Sequence, residues 1–115
     1  MLALSAPSSA RANGRFPRAE RLIEDPRDPN HLILGATYGL ITTSDRGRNW
    51  FYVCETAFSR IDPYVGDPIV DFGNDGTVVV DVQSGINVSS DNSCSWSPAF
   101  GGPGTYVADF TVGRA

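Results

Sequence analysis

Short apolar runs alternate with turn-forming residues along the chain from Leu22 onward, and no window carries the 3.6-residue period of an amphipathic helix. Runs of this kind, bounded by Gly, Pro, Asn and Asp, are typical of short β-strands joined by tight turns. Consecutive strands so close in sequence pair as antiparallel meanders. The pattern therefore predicts two meanders of four strands each, over residues 19–24, 32–37, 40–43 and 50–55, and over 69–72, 77–82, 86–89 and 95–100.

The two groups of strands carry one motif at the same place. Asp45 and Asp91 are separated by 46 residues, and so are Trp50 and Trp96. An interval of this length is typical of one structural unit in a repeat protein. The motif reads hydroxyl-x-Asp-x-small-x-x-Trp, with Thr43, Asp45, Gly47 and Trp50 in the first copy and Ser89, Asp91, Ser93 and Trp96 in the second.

The repeat extends beyond the motif. Without a gap, the same interval aligns Ile23 with Ile69 and lays the apolar run 31–34 over the run 77–80. We therefore interpret the chain as two copies of one ancestral unit.

Each motif residue has a role in a tight hairpin turn. The Asp accepts hydrogen bonds from backbone N–H groups that the turn leaves unpaired, as in an Asx-turn, and the hydroxyl residue before it adds another. Gly47 supplies a positive φ angle, and the Trp packs its indole over the turn. We therefore expect the motif residues to be structural rather than catalytic.

The motif Thr43-x-Asp45-x-Gly47-x-x-Trp50 resembles the Asp-box, or BNR repeat. This repeat occurs on the blades of sialidases, sortilin-like receptor ectodomains, xyloglucan-active glycosidases and secreted bacterial propellers, the last being most similar to this chain. The second copy departs from the pattern, since Ser93 stands where the family prefers Gly. In the family the box lies at the outer hairpin of a blade, away from the axial face where catalytic groups gather.

The resemblance covers residues 16–112 and implies an all-β fold, a β-propeller fragment of two four-stranded antiparallel blades plus the first strand of a third. Within residues 13–115, blade one spans 16–58, blade two 67–100 and the start of blade three 105–115. Closed propellers typically have four to eight blades. The chain is therefore expected to be part of a longer gene product, to self-assemble with copies of itself, or to expose apolar blade faces, and we favour the first.

Two cysteines, Cys54 and Cys94, can be read in two ways. They are either buried free thiols of a reduced compartment or a disulfide pair. Both lie near a motif Trp, at what the repeat indicates is the same end of neighbouring units, and this favours pairing. A bond closing a loop of this size contributes about 4 kcal/mol on the chain-entropy model and favours an extracytoplasmic setting.

Residues 1–12 end in Ala10-x-Ala12, which resembles the cleavage site of a secretory signal. The charged region and the full apolar core of a signal are missing, so the segment is either the remnant of a signal whose true start lies upstream or a disordered N-terminus. Together with the expected disulfide, this segment favours a secreted or periplasmic protein.

The overall charge narrows the range of partners. A net charge of −4 and a pI near 4.7 argue against nucleic acid as the main partner, because phosphate binding needs clustered Lys and Arg. No stretch approaches the ~20 apolar residues of a membrane span. The sequence offers no phosphate loop and a single histidine, His31, read as an exposed turn residue, so we expect no cofactor and no metal site.

An enzymatic function has weak support. A sialidase-like site needs arginine-bearing motifs spread over more blades than the two units here supply. A glycosidase needs a pair of carboxylates, for which the candidates are Asp62, Asp67, Asp71 and Asp81. We therefore expect a non-catalytic propeller scaffold that binds protein or carbohydrate. The alternatives are a remnant of a propeller glycosidase, sialidase-like or xyloglucan-active, and an assembly factor, which reduced thiols would favour.

The connection between the two units, residues 56–67, is the expected site of ligand contact. Surface loops on a rigid scaffold commonly carry binding residues. In this loop the aromatic side chains of Phe58 and Tyr64 are the candidates.

Overall fold

The structure, a computed structural model, describes residues 16–59, 67–82, 85–102 and 105–113. These residues form eight strands and one short helix. The elements are β1 (Ala19–Asp25), β2 (Asp28–Ala36), β3 (Gly39–Thr43), β4 (Phe51–Cys54), α1 (Glu55–Phe58), β5 (Val70–Phe72), β6 (Val78–Asp81), β7 (Gly85–Ser89) and β8 (Ser97–Gly101). The described chain is therefore all-β, as predicted.

The strands form two four-stranded antiparallel sheets. Sheet 1 has the order β1-β2-β3-β4 and sheet 2 has the order β5-β6-β7-β8, so every strand pairs with its neighbour in sequence. The two predicted meanders are confirmed, and each unit of the repeat forms one sheet. The first and last strands of each sheet lie at opposite edges, so neither sheet closes on itself.

β2 begins at Asp28, four residues before the predicted start at residue 32. The reason is the turn that precedes it. Asp25 Oδ1 accepts the backbone N–H of Arg27 at 2.9 Å, and Asp28 Oδ1 accepts that of Asn30 at 3.0 Å. These carboxylates satisfy the turn within a few residues, so the segment predicted as a loop becomes part of the strand.

The core lies between the two sheets. Gly35 in β2 allows β5 to approach, since a Cβ atom at that position would lie 3.3 Å from Cγ1 of Val70. An ion pair of 3.7 Å between Arg21 and Asp71 also joins β1 to β5. Sheet 1 therefore covers one face of sheet 2. The buried apolar side chains are Ile33, Leu40, Phe58, Val70, Phe72, Val78, Val80 and Val82.

The ungapped alignment of the two units fails in the first strand. Ile33 and Val79 are counterparts, but Ile33 pairs with Ile23 whereas Val79 pairs with Asp71. Asp71 therefore occupies the sheet position that the alignment gave to Ile69. The pairing of β1 with β2 shifts register near the turn, and the pairing of β5 with β6 does not, which accounts for the two-residue displacement.

The prediction of a third-unit strand near the C-terminus is wrong for this structure. Residues 105–113 carry no regular secondary structure. No strand of the two sheets forms a ladder with them, and a single segment without a hydrogen-bonding neighbour is not stable as a strand.

Candidate functional site

The first motif forms the turn between β3 and β4, where one carboxylate organises the backbone. Asp45 Oδ1 accepts the hydroxyl of Thr43 and the backbone N–H of Asn49, both at 2.8 Å. Asp45 Oδ2 accepts the Asn49 side-chain amide at 2.6 Å. The Thr43 hydroxyl oxygen in turn accepts the backbone N–H of Gly47 at 3.0 Å. The Asp45 carboxylate therefore hydrogen-bonds to residues at both ends of the turn.

The second motif repeats this network in the turn between β7 and β8. Asp91 Oδ1 accepts the hydroxyl of Ser89 and the backbone N–H of Ser95, both at 2.8 Å. Asp91 Oδ2 accepts the Ser95 hydroxyl at 2.5 Å, and Ser89 Oγ accepts the backbone N–H of Ser93 at 2.9 Å. The two turns therefore have the same pattern of hydrogen bonds.

Sequence reasoning missed one participant in each turn. Asn49 and Ser95 stand directly before the motif Trp, at a position treated as variable, yet each donates both a backbone and a side-chain hydrogen bond to the Asp. The signal was present in the sequence, because both residues have a short side chain with a polar hydrogen. A side-chain donor belongs at this position of the motif.

The donors around each Asp lower its pKa. Hydrogen bonds from the backbone and side chain of Asn49, with a further one from Thr43, lower the pKa of Asp45 to about 2. Those from the Ser95 side chain and backbone, and then from Ser89, lower the pKa of Asp91 to about 2. Both carboxylates are ionised at neutral pH with their oxygens committed to the turn. This chemistry suits a structural role and not proton transfer to a substrate.

The two turns differ at their fifth position. Gly47 has φ +86° and Ser93 has φ +66°, so both lie in the left-handed region that favours glycine. Ser93 is 7% exposed, and its Oγ atom has no hydrogen-bond partner among the described residues. The second turn thus keeps the backbone of the first with a side chain that is poorly suited to it.

Phe58 is a core residue, so its prediction as a ligand contact is wrong. Its side chain is 1% exposed and packs on Trp96, with ring centroids 5.6 Å apart. Its carbonyl oxygen accepts a hydrogen bond from the side-chain amide of Asn87 in β7. The last residue of α1 is thus directed inward onto sheet 2. Tyr64, the other candidate, lies outside the described residues.

Cys54 and Cys94 are both exposed free thiols, so the expected disulfide is not formed in the structure. Strand register explains why. Cys54 pairs with Gly39, at the end of the β3–β4 hairpin opposite to its motif turn, whereas Cys94 lies within the motif turn of sheet 2. The two cysteines occupy opposite ends of equivalent hairpins, not the same end. The Thr56 hydroxyl, 3.4 Å from Cys54 Sγ, lowers the pKa of that thiol.

His31 is buried in β2, which contradicts its prediction as an exposed turn residue. Its side chain lies with Nδ1 3.3 Å from Asp25 Oδ2 and Nε2 3.4 Å from Thr42 Oγ1. The ring meets Phe72 of sheet 2 edge to face at 4.9 Å. An Asp–His–hydroxyl sequence of contacts has the order of a catalytic triad, but His31 is only 4% exposed. Its position between the sheets serves packing.

A cleft opens where β1 of sheet 1 meets the start of β5. We call this opening the interstrand cleft. It encloses about 430 Å³, and a neighbouring hollow of about 310 Å³ continues it along β1. Both polar and apolar side chains line the two cavities: Phe16, Arg18, Glu20, Arg21, Thr37, Asp67, Pro68, Ile69, Ala108 and Asp109.

Charges of both signs face the interstrand cleft. Arg18 and Glu20 form a two-fold contact, with Nε 2.7 Å from Oε1 and Nη2 2.9 Å from Oε2, and this carboxylate raises the pKa of Arg18. Arg21 reaches Asp71 at 3.7 Å. Asp67 and Asp109 add two further carboxylates. The cleft therefore offers fixed donors and acceptors to a polar ligand.

Of the carboxylates predicted as candidates, only Asp67 lines the cleft directly. Asp81 is buried, Asp71 is engaged with Arg21, and Asp62 lies outside the described residues. Within the described ranges, no group of three or more His, Cys, Asp or Glu side chains is placed to hold a metal ion. No helix in the same ranges is long and apolar enough to cross a membrane.

The fold and its turns define the class of this chain at a coarse level: it is an all-β protein of two repeated four-stranded meanders packed face to face. The sequence matches no family model and no curated protein.

Proposed function

We propose that this chain is a non-catalytic binding module built from Asp-box propeller blades, which holds a protein or carbohydrate ligand at the interstrand cleft. The observation that carries this proposal is the pair of motif turns. Two turns with the same hydrogen bonds, each joining the third and fourth strands of a meander, are what an Asp-box blade requires.

The position of the cleft supports the proposal. The motif turns end at β4 and β8, the last strands of the sheets, whereas the cleft lies along β1 and β5, the first strands. The two features are therefore at opposite edges of each sheet. This separation agrees with the expectation that the boxes stabilise the outer side of a propeller while its axial side carries the function.

The charges in the cleft favour binding over chemistry. Both oxygens of Glu20 accept hydrogen bonds from Arg18, so the orientation of this carboxylate is fixed. Ligand sites combine apolar surface with a few precisely placed polar or charged groups that fix the orientation of the ligand. Pro68 and Ile69 provide that apolar surface in the wall of the cleft.

The test is a titration of the ¹⁵N-labelled chain with sialyllactose, xyloglucan heptasaccharide and a set of short peptides, followed by NMR. We expect at least one probe to shift the resonances of residues around the cleft, and Arg21→Gln to weaken its binding by about tenfold through loss of a charged contact. Arg48→Gln, an exposed change in the first motif turn, is the matched control and should bind as the parent does. Shifts confined to residues away from the cleft contradict the proposal.

A remnant of a propeller glycosidase is the second candidate. It is favoured by one observation, the gathering of Glu20, Asp67 and Asp109 at the same cleft, since glycoside hydrolysis uses two carboxylates facing one bond. The assay is release of a fluorogenic aglycone from a sialoside and from xyloglucan oligosaccharides. Turnover that Asp67→Asn abolishes supports the candidate. Substrate binding without turnover across the pH range leaves the binding module as the function.

A further inference from the structure

The exposed face of sheet 1 is equivalent, by strand register, to the face of sheet 2 that packs against sheet 1. In sheet 2, one register row crosses all four strands through Val70, Val80, Asn87 and Pro98. In sheet 1, the row at the equivalent position runs through Leu22, Leu34, Ile41 and Tyr52. Side chains paired across antiparallel strands share one face of the sheet. The two rows are therefore the same face of the two units.

The two rows differ in what covers them. Val70 and Val80 are fully buried beneath sheet 1, and the end of α1 covers Asn87, whereas Pro98 at the end of the row is exposed. In sheet 1, Leu22 is 59% exposed and Tyr52 is 55% exposed, with half-buried side chains between them. No described segment covers this row. It forms a continuous apolar stripe across the sheet, which we call the open face of sheet 1.

The face of sheet 1 that packs on sheet 2 also has an equivalent face in sheet 2. Sheet 1 covers sheet 2 with Ile33, Leu40 and Val53. By strand register the counterparts of these residues in sheet 2 are Val79, Ile86 and Phe100, since Ile86 pairs with Phe100 just as Leu40 pairs with Val53. Val79 and Ile86 are half-buried and Phe100 is 61% exposed. We call this second surface the open face of sheet 2.

The two sheets therefore pack head to tail. The face of sheet 1 that carries Ile33 packs on the face of sheet 2 that carries Val80. No part of the described chain covers the opposite face of either sheet, which is the open face of sheet 1 and the open face of sheet 2. We infer that a second copy of this chain docks on the open face of sheet 1, and that it does so with the open face of its own sheet 2. The contact repeats the one that already joins the two sheets within the chain.

The C-terminal segment limits where this contact forms. Ala108 and Asp109 line the interstrand cleft beside Pro68 and Ile69, so this segment lies at the β5 edge of sheet 2. The strands β6, β7 and β8 remain for the incoming copy. A head-to-tail contact closes into a ring when its rotation allows. Since propellers typically close with four to eight blades, two to four copies complete a ring.

This inference goes beyond the proposed function and does not depend on the cleft, although the number of copies in a ring rests on the propeller blades of that proposed function. It is carried by the register of the sheets, which holds whether or not the cleft binds a ligand. A chain that binds ligand but stays monomeric contradicts this inference and supports the proposed function. A chain that assembles but binds no ligand at the cleft supports this inference and contradicts the proposed function.

The test is the molar mass of the full chain in solution, from size-exclusion chromatography with light scattering over a range of concentrations. We expect a species of two to four times the 12.3 kDa of one copy. Leu34→Lys places a charge on the open face of sheet 1, and Phe100→Lys places one on the open face of sheet 2. Each variant alone should fall to 12.3 kDa. Ser44→Lys, in an exposed turn outside both faces, should assemble as the parent does.

Mixing the two variants tests the head-to-tail geometry itself. Leu34→Lys keeps an intact sheet 2 face and Phe100→Lys keeps an intact sheet 1 face, so an equimolar mixture should form a one-to-one pair. Circular dichroism checks that each variant is folded, and Ile41→Asn with Ile86→Thr is a milder pair for the same experiment. A parent that stays monomeric, a single variant that still assembles, or a mixture of folded variants that does not pair overturns the inference.

Discussion

The two motif turns are nearly identical inside and differ in what surrounds them. In both turns the Asp accepts hydrogen bonds from the same motif positions, yet Trp50 is 42% exposed while Trp96 is half-buried against Phe58. The motif therefore determines the turn, whereas the neighbouring segment determines how far the indole is covered. Sheet 2 has such a neighbour in sheet 1 and α1. The described chain offers sheet 1 none, and this asymmetry is the main difference between two copies of one unit.

Among the predictions that test this asymmetry, removal of the Phe58 side chain is expected to have the largest effect on stability. Phe58→Ala deletes a fully buried aromatic side chain and should lower the free energy of unfolding by about 3–5 kcal/mol. It should also shift the emission of Trp96 toward that of exposed Trp50. Urea unfolding followed by tryptophan fluorescence measures both effects. The matched change Phe51→Ala removes a side chain that is 62% exposed and should cost far less. Equal losses in the two variants contradict the asymmetry.

Acid should weaken both motif turns together. The pKa of Asp45 and of Asp91 is about 2 in the folded chain, against about 3.9 in an unfolded one. A carboxylate with a lowered folded pKa stabilises the fold fully above its unfolded pKa, and this stability is lost as the pH falls through the folded pKa. The urea midpoint should therefore decline between about pH 4 and pH 2.

The double variant Asp45→Asn with Asp91→Asn sharpens this test. The two Asn side chains cannot ionise, so the urea midpoint of this variant should be lower than that of the parent near neutral pH and should change less over the acid range. Ser44→Asn, beside Asp45 but without a titrating group, should keep the profile of the parent. A parent midpoint that is the same at both ends of this range contradicts the prediction.

Exchanging the fifth motif residues should move stability in opposite directions. Ser93→Gly removes a side chain from a left-handed backbone and a buried hydroxyl that has no described partner, and it should stabilise the chain by about 1 kcal/mol. Gly47→Ser imposes the same strain on the first turn and should destabilise by a similar amount. Chemical unfolding of both variants measures the pair. Destabilisation by Ser93→Gly contradicts the assignment of strain to that turn.

The smallest expected difference concerns the two thiols and involves no change in stability. The lowered pKa of Cys54 gives it more thiolate near neutral pH, so it should be alkylated faster than Cys94 by limiting iodoacetamide. Peptide mass spectrometry measures the two rates. Thr56→Val removes the donor hydroxyl and should slow the reaction at Cys54 alone. Faster labelling at Cys94 in the parent contradicts the prediction.

The sequence was a good guide wherever structure is local. Alternating apolar runs and turn residues predicted both meanders, because each strand pairs with its neighbour. The environment of His31 was not predictable in this way. Its burial depends on Asp25 across the first turn and on Phe72 from the other sheet. The disulfide prediction failed for a related reason. Both cysteines lie within a few residues of a motif Trp, but this closeness in sequence does not show at which end of its hairpin each cysteine lies.

The candidate site was less predictable than the fold. The interstrand cleft brings Glu20 together with Asp67 and Asp109, residues far apart in the chain that belong to no shared motif. Their meeting follows from the packing of β1 beside β5, which no periodicity within one unit can show. The sequence shows that Phe58 is an aromatic residue in the segment between the two units, but only the packing of α1 shows that its side chain points inward.

The meander connectivity also has a consequence for the order of folding. Every ladder joins strands adjacent in sequence, and chains rich in local contacts fold quickly. A hairpin forms in roughly 1–10 μs, and in each motif turn a single carboxylate holds together the turn at which the hairpin starts. We expect the β3–β4 and β7–β8 hairpins to form first and the docking of one sheet on the other to limit the rate of folding. Stopped-flow kinetics should then show Asp45→Asn mainly slowing refolding and Val80→Ala mainly accelerating unfolding, and the reverse pattern would place docking first.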